Sequence, residues 1–146
     1  MFNLLVAPFV LAGEPAQYPA DLDAAHSWAY PGDVARTLVA LSRDDRAWGR
    51  PWHVPAVSDL SVRAITARLA ELAGLADHQL IAMSALALHN AALVDPITSG
   101  VPEMQYLSQR PFLMDGSRVT ETFGVTPTPL DAVLTETVES FHRAVV

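Results

Sequence analysis

The residues able to do chemistry are few in kind. Five histidines stand at positions 26, 53, 78, 89 and 142, and the chain has no cysteine. A zinc site wants two histidines at i and i+4 on one helix face, or a close thiolate pair. No two histidines here are four apart, so no resident metal is expected. No serine lies in a Gly-x-Ser-x-Gly elbow, which leaves Ser/His/Asp combinations to chance. The seven glycines, at 13, 32, 49, 74, 100, 116 and 124, never fall three apart. Neither a P-loop nor a dinucleotide turn can be built from that spacing.

The elements that could carry a site centre on residues 26–41. Trp28 to Tyr30 is a short aromatic run that alternates as a strand does, and Pro31-Gly32 turns the backbone. Asp33 then opens a helix whose apolar positions Val34, Leu38 and Leu41 recur at i, i+4 and i+7. A strand feeding a helix with an acidic first turn is an α/β unit, and such folds place ligands at that loop.

At 146 residues the chain is read as one domain, 1–146, able to bury a sizeable core. Its 51% apolar and 17% charged residues are those of a packed chain. The net charge of −7 excludes nucleic acid and anionic membrane surfaces, which need clustered cations. All nine basic residues are arginine. The absence of cysteine removes disulfides and thiolate chemistry and fits a cytoplasmic setting. Met1 to Ala12 is apolar but lacks the positive start of a signal peptide. Leu80 to Val94 is too short to span a bilayer and contains His89 and Asn90.

Along the chain, Pro8 limits any N-terminal helix to a short or kinked one, which Gly13 ends. Ala16 to Tyr18 is a candidate strand. Arg43 to Arg46 is a charge cluster expected at a solvated helix end. Trp52 and Val54 alternate around His53 between Pro51 and Pro55, predicting a confined strand. Ser61 caps the clearest amphipathic helix, with Val62, Ile65, Leu69 and Leu72 on one face and Gly74 as its stop. Gln79 to Ala82 could form a strand, and Ser84 to Leu93 a helix ended by Asp95-Pro96. Glu103 to Leu107 suggests a helical turn or two, Pro111 to Asp115 an extended segment, and Ser117 to Phe123 a short helix. Thr128, Pro129 and Asp131 signal the start of a last helix, whose face is Leu130, Leu134, Val138 and Phe141.

Four of these stretches, in order, resemble the extended short-chain dehydrogenase/reductases, the NAD-dependent epimerase/dehydratase family. His26-Ser-Trp-Ala-Tyr-Pro-Gly-Asp33-Val-Ala resembles that family's aromatic-x-Tyr-Val-x-Asp-Val-Ala strand and helix. Asp45-Arg-Ala-Trp-Gly-Arg-Pro-Trp-His-Val-Pro resembles the loop and strand that follow, and Leu60 to Gly74 the next helix. Arg110-Pro-Phe-Leu-Met-Asp115-Gly-Ser-Arg118, with Phe123-Gly-Val-Thr-Pro-Thr-Pro-Leu130, resembles the closing pattern.

The resemblance implies an α/β fold, a mainly helical remnant of a Rossmann-type protein with a few short strands and the small substrate-binding subdomain. It covers only the family's C-terminal part. The family's catalytic Tyr-x-x-x-Lys pair is missing, because Tyr18, Tyr30 and Tyr106 are followed at the fourth position by Leu22, Val34 and Arg110. That lysine lowers the tyrosine pKa and holds the nicotinamide ribose. No catalytic or cofactor-binding residue is therefore expected in this chain, although the family's full-length members use NAD or NADP. By resemblance, Arg110 and Asp115 match positions that bind a sugar nucleotide's diphosphate or ribose, an Arg–Asp pair fixing the loop being the alternative. His26, Tyr30 and Asp33 would line the same cleft, with Asp33 as a helix cap in the plainer reading. Two further readings stand beside this one. One is a non-catalytic partner subunit or homo-oligomer docking through uncovered apolar faces, and the other is an unrelated small helical ligand-binding protein.

Overall fold

The computed structural model describes residues 2–94 and 99–145. The chain starts with two short helices, α1 (Phe2–Leu5) and α2 (Ala7–Leu11). Pro8 lies in the first turn of α2, where its missing N–H is no loss, so the break between the helices falls before it. Strand β1 (Ala16–Tyr18) follows, then α3 (Pro31–Ser42), α4 (Val62–Leu72), β2 (Leu80–Ala82), α5 (Ala85–Val94), α6 (Val101–Ser108), α7 (Ser117–Phe123) and α8 (Leu130–Val145). The Asp95-Pro96 stop expected after α5 lies outside the described residues.

One core holds most of these elements. Phe2, Val6, Val10, Ala16, Tyr18, Val62, Ile65, Leu69 and Leu134 are buried together, so α1, α2, β1, α4 and α8 share it. Ser61 caps α4 by accepting the Ala64 N–H at 3.3 Å, as its sequence predicts. Thr66 is buried in the same helix without cost, because its hydroxyl donates to the Val62 carbonyl at 2.7 Å. Arg68 ties α4 to α8 through two bonds to the Asp131 carboxylate, 2.8 and 2.6 Å.

β1 and β2 pair in parallel, Ala16 opposite Leu80 and Tyr18 opposite Ala82, giving a fold that is α/β at a coarse level. The Trp28 to Tyr30 strand does not form as such. Instead, residues 25–28 make isolated bridges, Ala25 to Ser61, Trp28 to Ser58 and His26 to Phe112. The expected strand around His53 is irregular. Pro51 and Pro55 offer no N–H to a ladder, and the Trp52 indole instead donates to the Ala47 carbonyl at 2.8 Å.

Helix α3 overturns its sequence pattern. Asp33 and Thr37 are its buried residues, whereas Leu38 is 62% exposed. The helix is rotated so that a carboxylate faces inward, because the donors for that carboxylate lie there. Apolar surface is also open on α5, where only Leu88 is buried and Leu86 and Leu93 lie outside.

Candidate functional site

Asp33 has no exposed surface, and both of its oxygens accept hydrogen bonds. Oδ2 accepts the Thr128 backbone N–H at 2.8 Å, and Oδ1 accepts the Thr128 hydroxyl at 2.6 Å and Arg36 at 2.5 Å. Arg36 also donates to the Thr126 carbonyl at 3.3 Å and the Thr128 hydroxyl at 3.1 Å. A buried carboxylate must be paired and hydrogen-bonded, and this one is. Asp33 is thus a junction between α3 and the start of α8.

Tyr30 is held nearby. Its hydroxyl donates to Glu136 at 2.6 Å, and that bond, with partial desolvation, raises its pKa above the ordinary value. It is a phenol held in place, the opposite of the lowered pKa that proton transfer at neutral pH requires. Gly32 makes this possible, because a Cβ there would overlap the Tyr30 ring. Tyr30 and Trp28 border a cavity of about 200 Å³ between α1, α4 and α8.

The other predicted residues do not converge on Tyr30 and Asp33. His26 contacts Trp28 edge-on at 6.5 Å between ring centres, and its Nε2 is buried without a hydrogen-bond partner. Arg110 is exposed and makes no ion pair with any described residue, so the alternative of an Arg–Asp pair with Asp115 is not formed. Asp115 accepts the Ser117 N–H at 2.9 Å, which, with the Ser117 hydroxyl, holds its carboxyl below the ordinary value.

Two adjoining cavities form on the Asp115 face. One is an open groove of about 470 Å³ bordered by Asp59, Leu113, Met114, Asp115 and Ser117. The second, about 250 Å³ and more enclosed, is bordered by Ser27, Trp28, Trp52, His53 and Val54. Ala56 and Met114 border both. The floor between them is tied together by Ser27, whose hydroxyl donates to Asp59 at 2.6 Å and accepts the Met114 N–H at 2.8 Å. His53 Nδ1 lies 3.2 Å from the Asp115 carbonyl, which can only accept, so Nδ1 is the donor. Gly116 lets the two loops touch, since a Cβ would come within 2.7 Å of Pro55 Cα.

Of the predicted residues only Asp115 borders this face, while Ser27, Asp59 and the Trp52–His53 pair escaped the sequence reading. The His26-Ser27-Trp28 tripeptide and the Trp52-His53 dipeptide were the available signal, but nothing in their spacing says that they meet.

Among the described residues no group of three His, Asp or Glu side chains could hold a metal. None of the positive-φ glycines among the described residues lies in a strand-to-helix turn. Gly13, Gly49, Gly74 and Gly124 have the left-handed backbone that glycine favours, but each follows a helix or helical turn. The β2-to-α5 connection is Met83-Ser84, with no glycine to admit a pyrophosphate. No helix among the described residues is long and apolar enough to cross a membrane. No family model matches the chain, and no curated protein matches it.

Proposed function

We propose that this chain is the substrate-side part of an epimerase/dehydratase-type protein, a Rossmann-type remnant that binds a small molecule and does not itself catalyse hydride transfer. The observation that carries the reading is the junction of Asp33 with Thr128. It joins the first and last of the four family-like stretches across 95 residues of chain. The bridges of residues 25–28 to 58–61 and to Phe112 bring the third and fourth stretches beside the first. Stretches that match a family in order and also pack against one another are better support than order alone. In this reading NAD or NADP, and the Tyr–Lys pair that works with it, belong to residues outside this sequence. The ligand is a small molecule, a sugar nucleotide being what the resemblance alone implies, and the setting is cytoplasmic.

The test is a fluorescence titration of the purified chain with NADH and NADPH. No saturable binding in the micromolar range is expected, and saturable binding there would overturn the reading.

A second reading, a non-catalytic partner subunit or homo-oligomer, is favoured by a separate observation. Leu38 and Val39 on α3, with Leu86, Leu93 and Val94 on α5, are exposed apolar side chains on helices that a complete fold would cover. Light scattering after size exclusion separates the two, since a clean monomer at high concentration counts against a homo-oligomer.

A further inference from the structure

The two adjoining cavities on the Asp115 face have a chemistry that narrows what can bind there. Both indole N–H groups are already engaged, Trp28 with the Leu60 carbonyl at 2.7 Å and Trp52 with the Ala47 carbonyl at 2.8 Å. What these two rings have left for a ligand is carbon and π surface. Two hydroxyls bordering the pair also have their protons committed inside the chain, Ser27 to Asp59 at 2.6 Å and Thr120 to the Val125 carbonyl at 2.8 Å.

Two carboxylates border the open groove, Asp59 and Asp115, and each keeps free lone pairs as acceptors. No arginine borders either cavity. Arg118 is stacked over Trp52, 4.6 Å from its ring centre, and Arg110 lies outside both. A phosphate or carboxylate would meet two like charges and no bordering arginine.

We propose that these cavities bind a small cyclic ligand that carries hydroxyl or amino donors and no negative charge. The ring would sit in the enclosed 250 Å³ pocket and its donors would face the carboxylates of the open groove. That volume is below the roughly 300–1,000 Å³ of drug-sized sites, so one ring with its substituents is the fitting size. The inference deepens the preceding reading, on which it rests for taking this as the substrate side. It replaces the sugar nucleotide of the resemblance with an uncharged or cationic substrate.

The experiment is saturation-transfer NMR on the full chain at neutral pH, with benzylamine, benzyl alcohol, benzoate and UDP-glucose as probes. Benzylamine and benzyl alcohol are expected to receive saturation, and benzoate and UDP-glucose are not. In the Asp59→Asn/Asp115→Asn double variant each side chain keeps one acceptor oxygen but the charge is gone. Benzylamine affinity should then fall on the order of tenfold, and benzyl alcohol affinity by clearly less. Ala56→Trp, at a position bordering both cavities, should abolish both signals with its thermal transition retained. If that variant does not fold, the double variant still decides. Equal binding of benzoate and benzylamine, preference for UDP-glucose, or no binding by any probe would overturn the proposal. Binding of NADH in the separate titration would overturn the family reading and leave this result standing.

Discussion

The carboxylate of Asp33 receives both the amide and the hydroxyl of Thr128, at 2.8 and 2.6 Å, across 95 residues of chain. Arg36 closes the arrangement from the exposed side. The contact fixes the rotation of α3, carries an acidic side chain into the interior, and anchors the loop from which α8 starts. A residue resembling part of a ligand cleft is thereby a structural fastener.

Thr128→Val should destabilise the chain by about 1–3 kcal/mol, because it leaves a buried carboxylate one donor short. Asp33→Ala should cost at least as much, since the Thr128 amide and hydroxyl lose their acceptor together. Urea unfolding midpoints measure both. A loss of less than about 0.5 kcal/mol in each would show that the junction holds nothing in place.

Leu38→Asn, in the apolar stripe of α3, should change stability by no more than about 0.5 kcal/mol, since the side chain is 62% exposed. Leu69→Ala, in a helix where the stripe does face the core, should cost about 2–5 kcal/mol. Comparing the two by denaturant titration distinguishes a rotated α3 from a buried one. Equal losses would mean that Leu38 is covered in solution.

The Arg46 guanidinium, donating to Asp44 at 2.7 Å, holds the Asp44 carboxyl at about 2, with help from the Arg46 backbone N–H. Because the folded value lies below the ordinary 3.8, the unfolded chain takes up this proton first. The contribution is present above about pH 4 and is lost as the pH falls toward 2. Asp44→Asn should therefore make stability fall less steeply across that window, as read from thermal transitions at stepped pH. The slope due to Asp23 and Asp131, which arginines also hold low, should remain. An unchanged slope in the variant would contradict the assignment.

Glu136→Gln should bring the Tyr30 hydroxyl back toward the ordinary tyrosine value, because the carboxylate bond is the largest cause of its upward shift. Ultraviolet titration of phenolate would register one tyrosine ionising at lower pH than in the parent chain. Gly32→Ala should do the same, since the added Cβ displaces the Tyr30 ring from Glu136.

Much of the local structure was legible from residue types. Ser61 and Gly74 bound α4 where capping chemistry says they must, and Pro8 divides the N-terminal helices because it cannot donate. Leu80 to Ala82 and Ser117 to Phe123 form the strand and helix that their patterns predict. These features depend on neighbours a few residues away, which a sequence displays directly.

The candidate site was much less legible. Asp115 could be singled out, but Ser27 meets Asp59, and His53 meets Asp115, only through folds of the chain spanning 32 and 62 residues. Helix α3 is the sharpest case. By periodicity, Leu38 belongs inside and Asp33 outside, and the sequence alone can say no more. Only the tertiary structure brings Thr128 and Arg36 to the carboxylate. A buried charge with three hydrogen bonds then outweighs an apolar stripe that is left partly exposed among the described residues.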